Sequence, residues 1–241
     1  MLPIEPIKAS RINPRLLVIY GKSKCGKTTA ASMLPNSLIL DFEDGSDFVS
    51  ALKVKILGLN SPSNESPESR QKRQDSGRYF INEVLLEIRE FRRKNNRYPY
   101  ERVIIDTGTR FEELCEDVAT LDYMNSPQGS KFNRDQTGNI LPKSQGESAL
   151  TLPMGLGYGY LRQAFNRGLA VIKEMAPDVI MICHVKDKFV NKSGKEMTAN
   201  DLNLTGRVAQ ILAAQSDAIG YVYRKKNQTF INFASADDTC G

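Results

Sequence analysis

The sequence predicts an α/β fold: a mostly parallel sheet flanked by helices, closed by a C-terminal antiparallel hairpin. Three observations carry this expectation. Short β-branched apolar runs recur along the chain, stretches with helical spacing separate them, and a glycine-rich turn joins the first run to the first helix. The chain has 241 residues, 40% apolar and 25% charged, enough to bury one sizeable core, so a single domain over 1–241 is expected.

Arg15–Tyr20 is an apolar run that enters a loop containing Gly21 and Gly26, and Lys27–Leu34 has helical composition until Pro35 stops it. Ser37–Asp41 reads as a second buried strand ending in acids. Residues 57–80 are polar, with a Ser, Asn and Pro cluster near residue 62, and read as a loop. Ile81, Val84, Leu85, Ile88 and Phe91 then share one helical face. Arg102–Asp106 is a third strand, with Phe111, Leu114, Val118 and Leu121 marking the helix after it. Residues 125–156 show no periodicity and read as a long irregular segment. Helical spacing returns from Tyr158 to Ile172, Asp178–Cys183 is a fourth apolar strand, and Val208–Ala214 looks helical. Ala218–Arg224 and Thr229–Ala234 form the terminal hairpin.

No run of eighteen apolar residues exists, and the first residues lack a signal-peptide layout, so neither membrane insertion nor secretion is expected, and the location is read as cytoplasmic. Four cysteines without a Cys-x-x-Cys pair and a single histidine point to a reducing compartment and away from a structural metal. The net charge of +5 is modest, but it is concentrated. Arg70–Arg102 holds ten basic and five acidic residues and Lys186–Lys226 eight and four, a distribution that suits either a phosphate backbone or a solvated helix face.

The chemistry is densest at Gly21-Lys22-Ser23-Lys24-Cys25-Gly26-Lys27-Thr28, a Walker A pattern set between a strand and a helix and followed by Thr29. Glycines let consecutive backbone N–H groups turn inward around phosphate oxygens. Lys27 is expected to reach the β- and γ-phosphates of ATP, and Thr28 to bind Mg²⁺. Asp106, at the end of a buried strand, is the expected second metal residue. The next residue is Thr107, not glutamate, so the Asp-Glu pair that many ring-forming ATPases use to polarise water is missing. Glu43, after the second strand, is the candidate water-positioning base; alternatively Asp41, Glu43, Asp44 and Asp47 form a solvated acidic loop. His184 after the fourth strand either senses the γ-phosphate or is structural. Cys25, inside the loop, is expected to have a lowered pKa, so that alkylation blocks nucleotide binding and Mg-ATP protects.

Together these features resemble the RecA-like P-loop ATPases, and within them the small phage ATPases related to single-strand-annealing recombinases. The likeness rests on residues 17–29, Leu38-Ile-Leu-Asp-Phe-Glu-Asp-Gly45, Val103–Thr107, Leu152–Tyr158, Ile182-Cys-His184 and Leu204–Val208. It implies ATP hydrolysis coupled to single-stranded DNA in phage replication or recombination, and a homo-oligomer. It also implies a cation lent across the subunit interface, for which Arg224 and Lys226, then Lys186 and Lys188, and Arg207 are candidates. A single-strand-binding protein is a further possible partner. Lys131, Phe132, Arg134, Lys143 and Tyr158, in or beside the 125–156 segment, mix charge with aromatic rings as single-strand sites do. The competing readings are a nucleotide-gated assembly scaffold with slow turnover and a P-loop small-molecule kinase.

Overall fold

The structure is a computed structural model, and it describes residues 11–141, 144–192 and 195–234, with the side chains of 187–200 outside that description. The elements follow the order β1 (Leu16–Gly21), α1 (Lys27–Ser32), β2 (Ser37–Asp41), β3 (Leu52–Gly58), α2 (Pro67–Asp75), β4 (Arg78–Phe80), α3 (Ile81–Asn95), β5 (Arg102–Asp106) and α4 (Gly108–Met124). Then come α5 (Leu156–Lys173), β6 (Asp178–Lys192), β7 (Lys195–Leu202), α6 (Val208–Gln215), β8 (Ala218–Lys225) and β9 (Gln228–Asn232). The sheet order is β4-β3-β2-β5-β6-β1-β8-β9, with β7 paired to β6. Every pairing from β4 to β8 is parallel, whereas β8–β9 and β6–β7 are antiparallel.

The central strands are buried on both sides, which is why they read as unbroken apolar runs. Their side chains divide by period two. Leu16, Val18, Tyr20, Leu38, Leu40, Val103, Ile105, Val179 and Met181 join the large core shared with α3, α4, α5 and α6. Ile19, Ile39, Ile104, Ile180, Ile182 and Val222 face the other way and pack with Cys25 and with Ala31 of α1. Phe111 sits edge-on to Phe42 and to Phe165, with ring centroids 5.8 and 5.1 Å away. That approach needs Gly168, because a Cβ there would lie 2.8 Å from Phe111.

Two expectations need correction, and one strand was missed. The stretch 57–80 is not a loop, since α2 and β4 lie within it. Ser66 caps α2 by accepting the Ser69 amide, and Pro67 starts the helix, yet none of its residues is buried, so no apolar period announces it. Instead Arg73 holds it down, donating to both carboxylate oxygens of Glu83 at 2.7 and 2.8 Å and to both of Glu65 at 2.8 and 2.7 Å. The strand β3 alternates Lys53 and Lys55 with Val54 and Ile56 and escapes an apolar-run search. The fourth strand continues past Cys183 to Lys192 and turns back as β7. In 125–156, by contrast, only turns, one isolated bridge and two short 3₁₀ helices occur among the described residues.

Burial by itself pushes the Glu83 carboxyl up, but the Arg73 bonds and the Phe80 amide outweigh it and hold the carboxyl below the ordinary glutamate value. The ion pair therefore stabilises the fold fully above the unfolded pKa of about 4.3 and progressively less as pH falls through the lower folded value. Glu83→Gln should flatten this acid limb of a stability-versus-pH curve from chemical denaturation; a parallel acid limb in the variant would show that Arg73 contributes nothing through Glu83.

Candidate active site

The carboxyl ends of β1, β5 and β2 lie beside the middle of β6, around Ile182–His184, and the predicted site residues sit there. The register aligns Gly21 with His184, Ile182 with Asp106, and Asp106 with Asp41. The amide of Phe42 donates to the Asp106 carbonyl at 2.7 Å, fastening the end of β2 to that of β5.

The loop after β1 turns sharply because Lys24 and Gly26 take left-handed backbone, at φ 62° and 94°. This alternation turns neighbouring N–H groups towards one concave side, the geometry that suits an anion. Lys27 is buried and its Nζ donates to the carbonyls of Gly21 at 2.9 Å and Lys22 at 2.8 Å. Burial pushes this ammonium below the ordinary lysine value, while Cys25, Asp106 and Glu43 oppose the fall. Thr28 Oγ1 donates to Asp106 Oδ2 at 2.9 Å. Burial raises the Asp106 carboxyl; the Thr28 bond opposes the rise, and the charges of Asp41 and Glu43 reinforce it.

The four acids after β2 separate into different jobs. Asp41 is buried and accepts from the amides of Glu43 and Ser46 at 3.0 and 3.1 Å, so it shapes the turn. Asp44 and Asp47 pair with Lys55. Glu43 alone points to the strand ends. Its Oε1 accepts from Thr107 Oγ1 at 2.7 Å and lies 3.3 Å from His184 Nε2, while His184 Nδ1 lies 3.5 Å from Ser23 Oγ. Asp44, Asp47 and Glu43 are all exposed, as the solvated-loop alternative requires, but only Glu43 contacts side chains at the strand ends.

Sequence reasoning noted Thr107 only for what it is not, and missed its hydroxyl as the partner of Glu43. It also missed Thr229, whose Oγ1 donates to the Cys25 carbonyl at 3.1 Å. A Cβ on Gly26 would lie 2.9 Å from that hydroxyl, so glycine is needed there for space as well as for its backbone. Of the proposed cross-subunit cations, Lys186 bonds the Leu204 carbonyl within its own chain. Arg224, Lys226 and Arg207 are exposed, and the side chain of Lys188 lies outside the described residues, as do Lys143 and Cys240. Phe132 packs edge-on to Tyr123 at 5.3 Å.

The strand order, the glycine-rich loop and the Thr28–Asp106 pair at the sheet's carboxyl edge define an α/β P-loop nucleoside-triphosphatase fold. The chain belongs to the AAA domain family, whose model matches residues 13–240, and it is therefore assigned to the P-loop ATPases. No curated protein matches it. No helix among the described residues is long and apolar enough to cross a membrane.

The expected reactivity of Cys25 is not what its packing supports. Cys25 is buried against Ile19 and Val222, and Cys115 and Cys183 are buried too, the latter thiol pushed up to about 12 by burial. In a Cys240→Ser protein, iodoacetamide should modify the native chain slowly whether or not Mg-ATP is added, and quickly in denaturant. Rapid native labelling at Cys25 would contradict this packing.

Proposed function

We propose that this domain binds Mg-ATP and hydrolyses it in step with single-stranded DNA, in phage-type replication or recombination as its resemblance to the phage ATPases implies. The observation that carries the hydrolytic part is the Glu43 carboxylate, held between Thr107 and His184 beside the Thr28–Asp106 pair. A base must be oriented before it can align a water, and two partners fix this one.

Thr28 and Asp106 offer two hard oxygens, which fits Mg²⁺, an ion that takes one or two protein oxygens and fills its remaining positions with phosphate and water. Held by Thr28 and Asp106, Mg²⁺ would supply positive charge to offset that of the phosphates. Lys27 exchanges the Gly21 and Lys22 carbonyls for phosphate oxygens, and the backbone of residues 22–29 cradles the chain of phosphates. Glu43 orients the attacking water. His184 bridges Glu43 and Ser23 of the loop, so a change at the phosphate is felt at the base of the β6–β7 hairpin.

For DNA, the supporting feature is the turn into α5 together with the helix's first residues. Met154 is fully exposed, Leu156 and Tyr158 are partly so, and exposed Lys131 belongs to the same irregular segment. The domain acts as a homo-oligomer in the cytoplasm, the host's if phage-encoded, with Lys226 at the hairpin tip as the cation lent to the next subunit. A single-strand-binding protein is a further partner on the DNA.

The test is the steady-state ATPase rate with and without single-stranded DNA at low and moderate salt, with Lys27→Ala as the blank. DNA should stimulate the rate, and salt should erase the stimulation. Hydrolysis indifferent to DNA would move the reading to a nucleotide-gated scaffold or a kinase. Glu43→Gln should lower kcat about a hundredfold with KM little changed. Thr107→Val, which frees the carboxylate without removing it, should lower kcat about tenfold; full activity in both variants would dismiss Glu43 as the base.

A further inference from the structure

The β8–β9 hairpin stands over the phosphate loop of its own chain. Thr229 reaches the Cys25 carbonyl, so the side chain of Thr229 marks the hairpin face that looks at the loop. Arg224 is paired with Thr229 across the two strands. Directly opposed residues of an antiparallel pair project to the same face with Cβ atoms about 5 Å apart, so Arg224 starts on the loop side as well. Among the described residues Arg224 makes no ion pair and no side-chain hydrogen bond, and Lys225 and Lys226 follow it, giving three consecutive exposed cations at the hairpin end.

The strand order sets the direction of a nucleotide across this edge. Glu43 follows β2, Asp106 ends β5, His184 lies on β6, the loop follows β1, and the hairpin lies beyond it, on the side away from Glu43. Neighbouring strands are about 4.8 Å apart. A γ-phosphate placed for attack by a water on Glu43 lies over β5 and β6, and the α-phosphate then falls over β1 on the hairpin side. We infer that Arg224 binds the α-phosphate of the nucleotide held by its own chain's loop, and is not the cation lent to the neighbouring subunit. This rests on the nucleotide site proposed above and adds to it a residue at the nucleoside end. A guanidinium suits the task, since it donates two parallel bonds to phosphate oxygens.

Two experiments decide it. Calorimetric titration of Mg-ADP and Mg-pyrophosphate compares wild type, Arg224→Ala, Arg224→Lys and Lys27→Ala. Arg224→Ala should weaken ADP about tenfold while pyrophosphate, seated in the loop alone, changes less than twofold, and Arg224→Lys should recover part of the loss. Unchanged ADP affinity, or equal loss of both ligands, overturns the inference. Wild-type ADP binding by Lys27→Ala would instead remove the nucleotide site itself, and the inference with it. The second experiment mixes Arg224→Ala subunits with rising amounts of Lys27→Ala subunits, which keep Arg224 but lack the loop lysine. The mixture should hydrolyse ATP no faster than its parts. A gain in rate means that Arg224 works across an interface, and the same-chain assignment fails.

Discussion

The arrangement depends on the in-phase parallel ladder of β2, β5, β6 and β1. Its register places Asp41, Asp106 and Ile182 at one height, and His184 beside Gly21 two residues farther on, so four chain segments reach one edge of the sheet. Backbone hydrogen bonds fix that height, and a slip by one residue would turn every side chain of a strand to the opposite face. Hydrogen bonds of 2.9 Å from Thr28 to Asp106, and of 2.7 Å from Thr107 to Glu43, are attainable because the strands leading into these residues are held this way. The loops add direction, and the sheet supplies the precision.

The two faces of the sheet are covered unequally. Helices α3 to α6 build the large core, while the face carrying Ile19, Ile39, Ile104, Ile180 and Ile182 meets chiefly the short α1 and the loop residue Cys25. The loop is thereby part of the packing of this face. Cys25 fills the corner between β1 and β8 where Gly21 also approaches the Val222 carbonyl, so the loop's outer side binds while its inner side is core.

Legibility in the sequence followed burial. The strands β1, β2, β5 and the first half of β6 were readable because strands buried on both faces are continuous apolar runs, and the Walker A loop was readable because its chemistry is local. The strand β3 was hidden because it alternates lysine with Val54 and Ile56 and so forms no continuous apolar run, and the helix α2 because none of its residues is buried and no apolar period marks it. What holds α2 is an ion-pair cluster between Arg73, Glu65 and Glu83, and pairs between residues eight and ten apart leave no periodic mark. In the site, sequence singled out Glu43 as the base and Asp106 at a strand end, but left a solvated acidic loop as the alternative for Glu43 and set His184 after a strand that in fact runs on to Lys192; which partner each carboxylate finds shows only in the fold. Thr229 gave no signal at all, being 204 residues from the carbonyl it contacts.

That separation bears on the order in which the molecule comes into being. The strand β1 is made before every other described strand, yet its two neighbours, β6 and β8, begin at Asp178 and Ala218. A nascent chain ending near residue 170 already contains the parallel unit β4-β3-β2-β5, but β1 and its loop have nothing to pair with. Such distant closure is slow relative to local pairing. The nucleotide loop is thus locked only after β6, β8 and β9 are in place and Thr229 reaches Cys25. Ligand binding then reports on a sheet with β9 in place and, by favouring that state alone, draws the whole fold together.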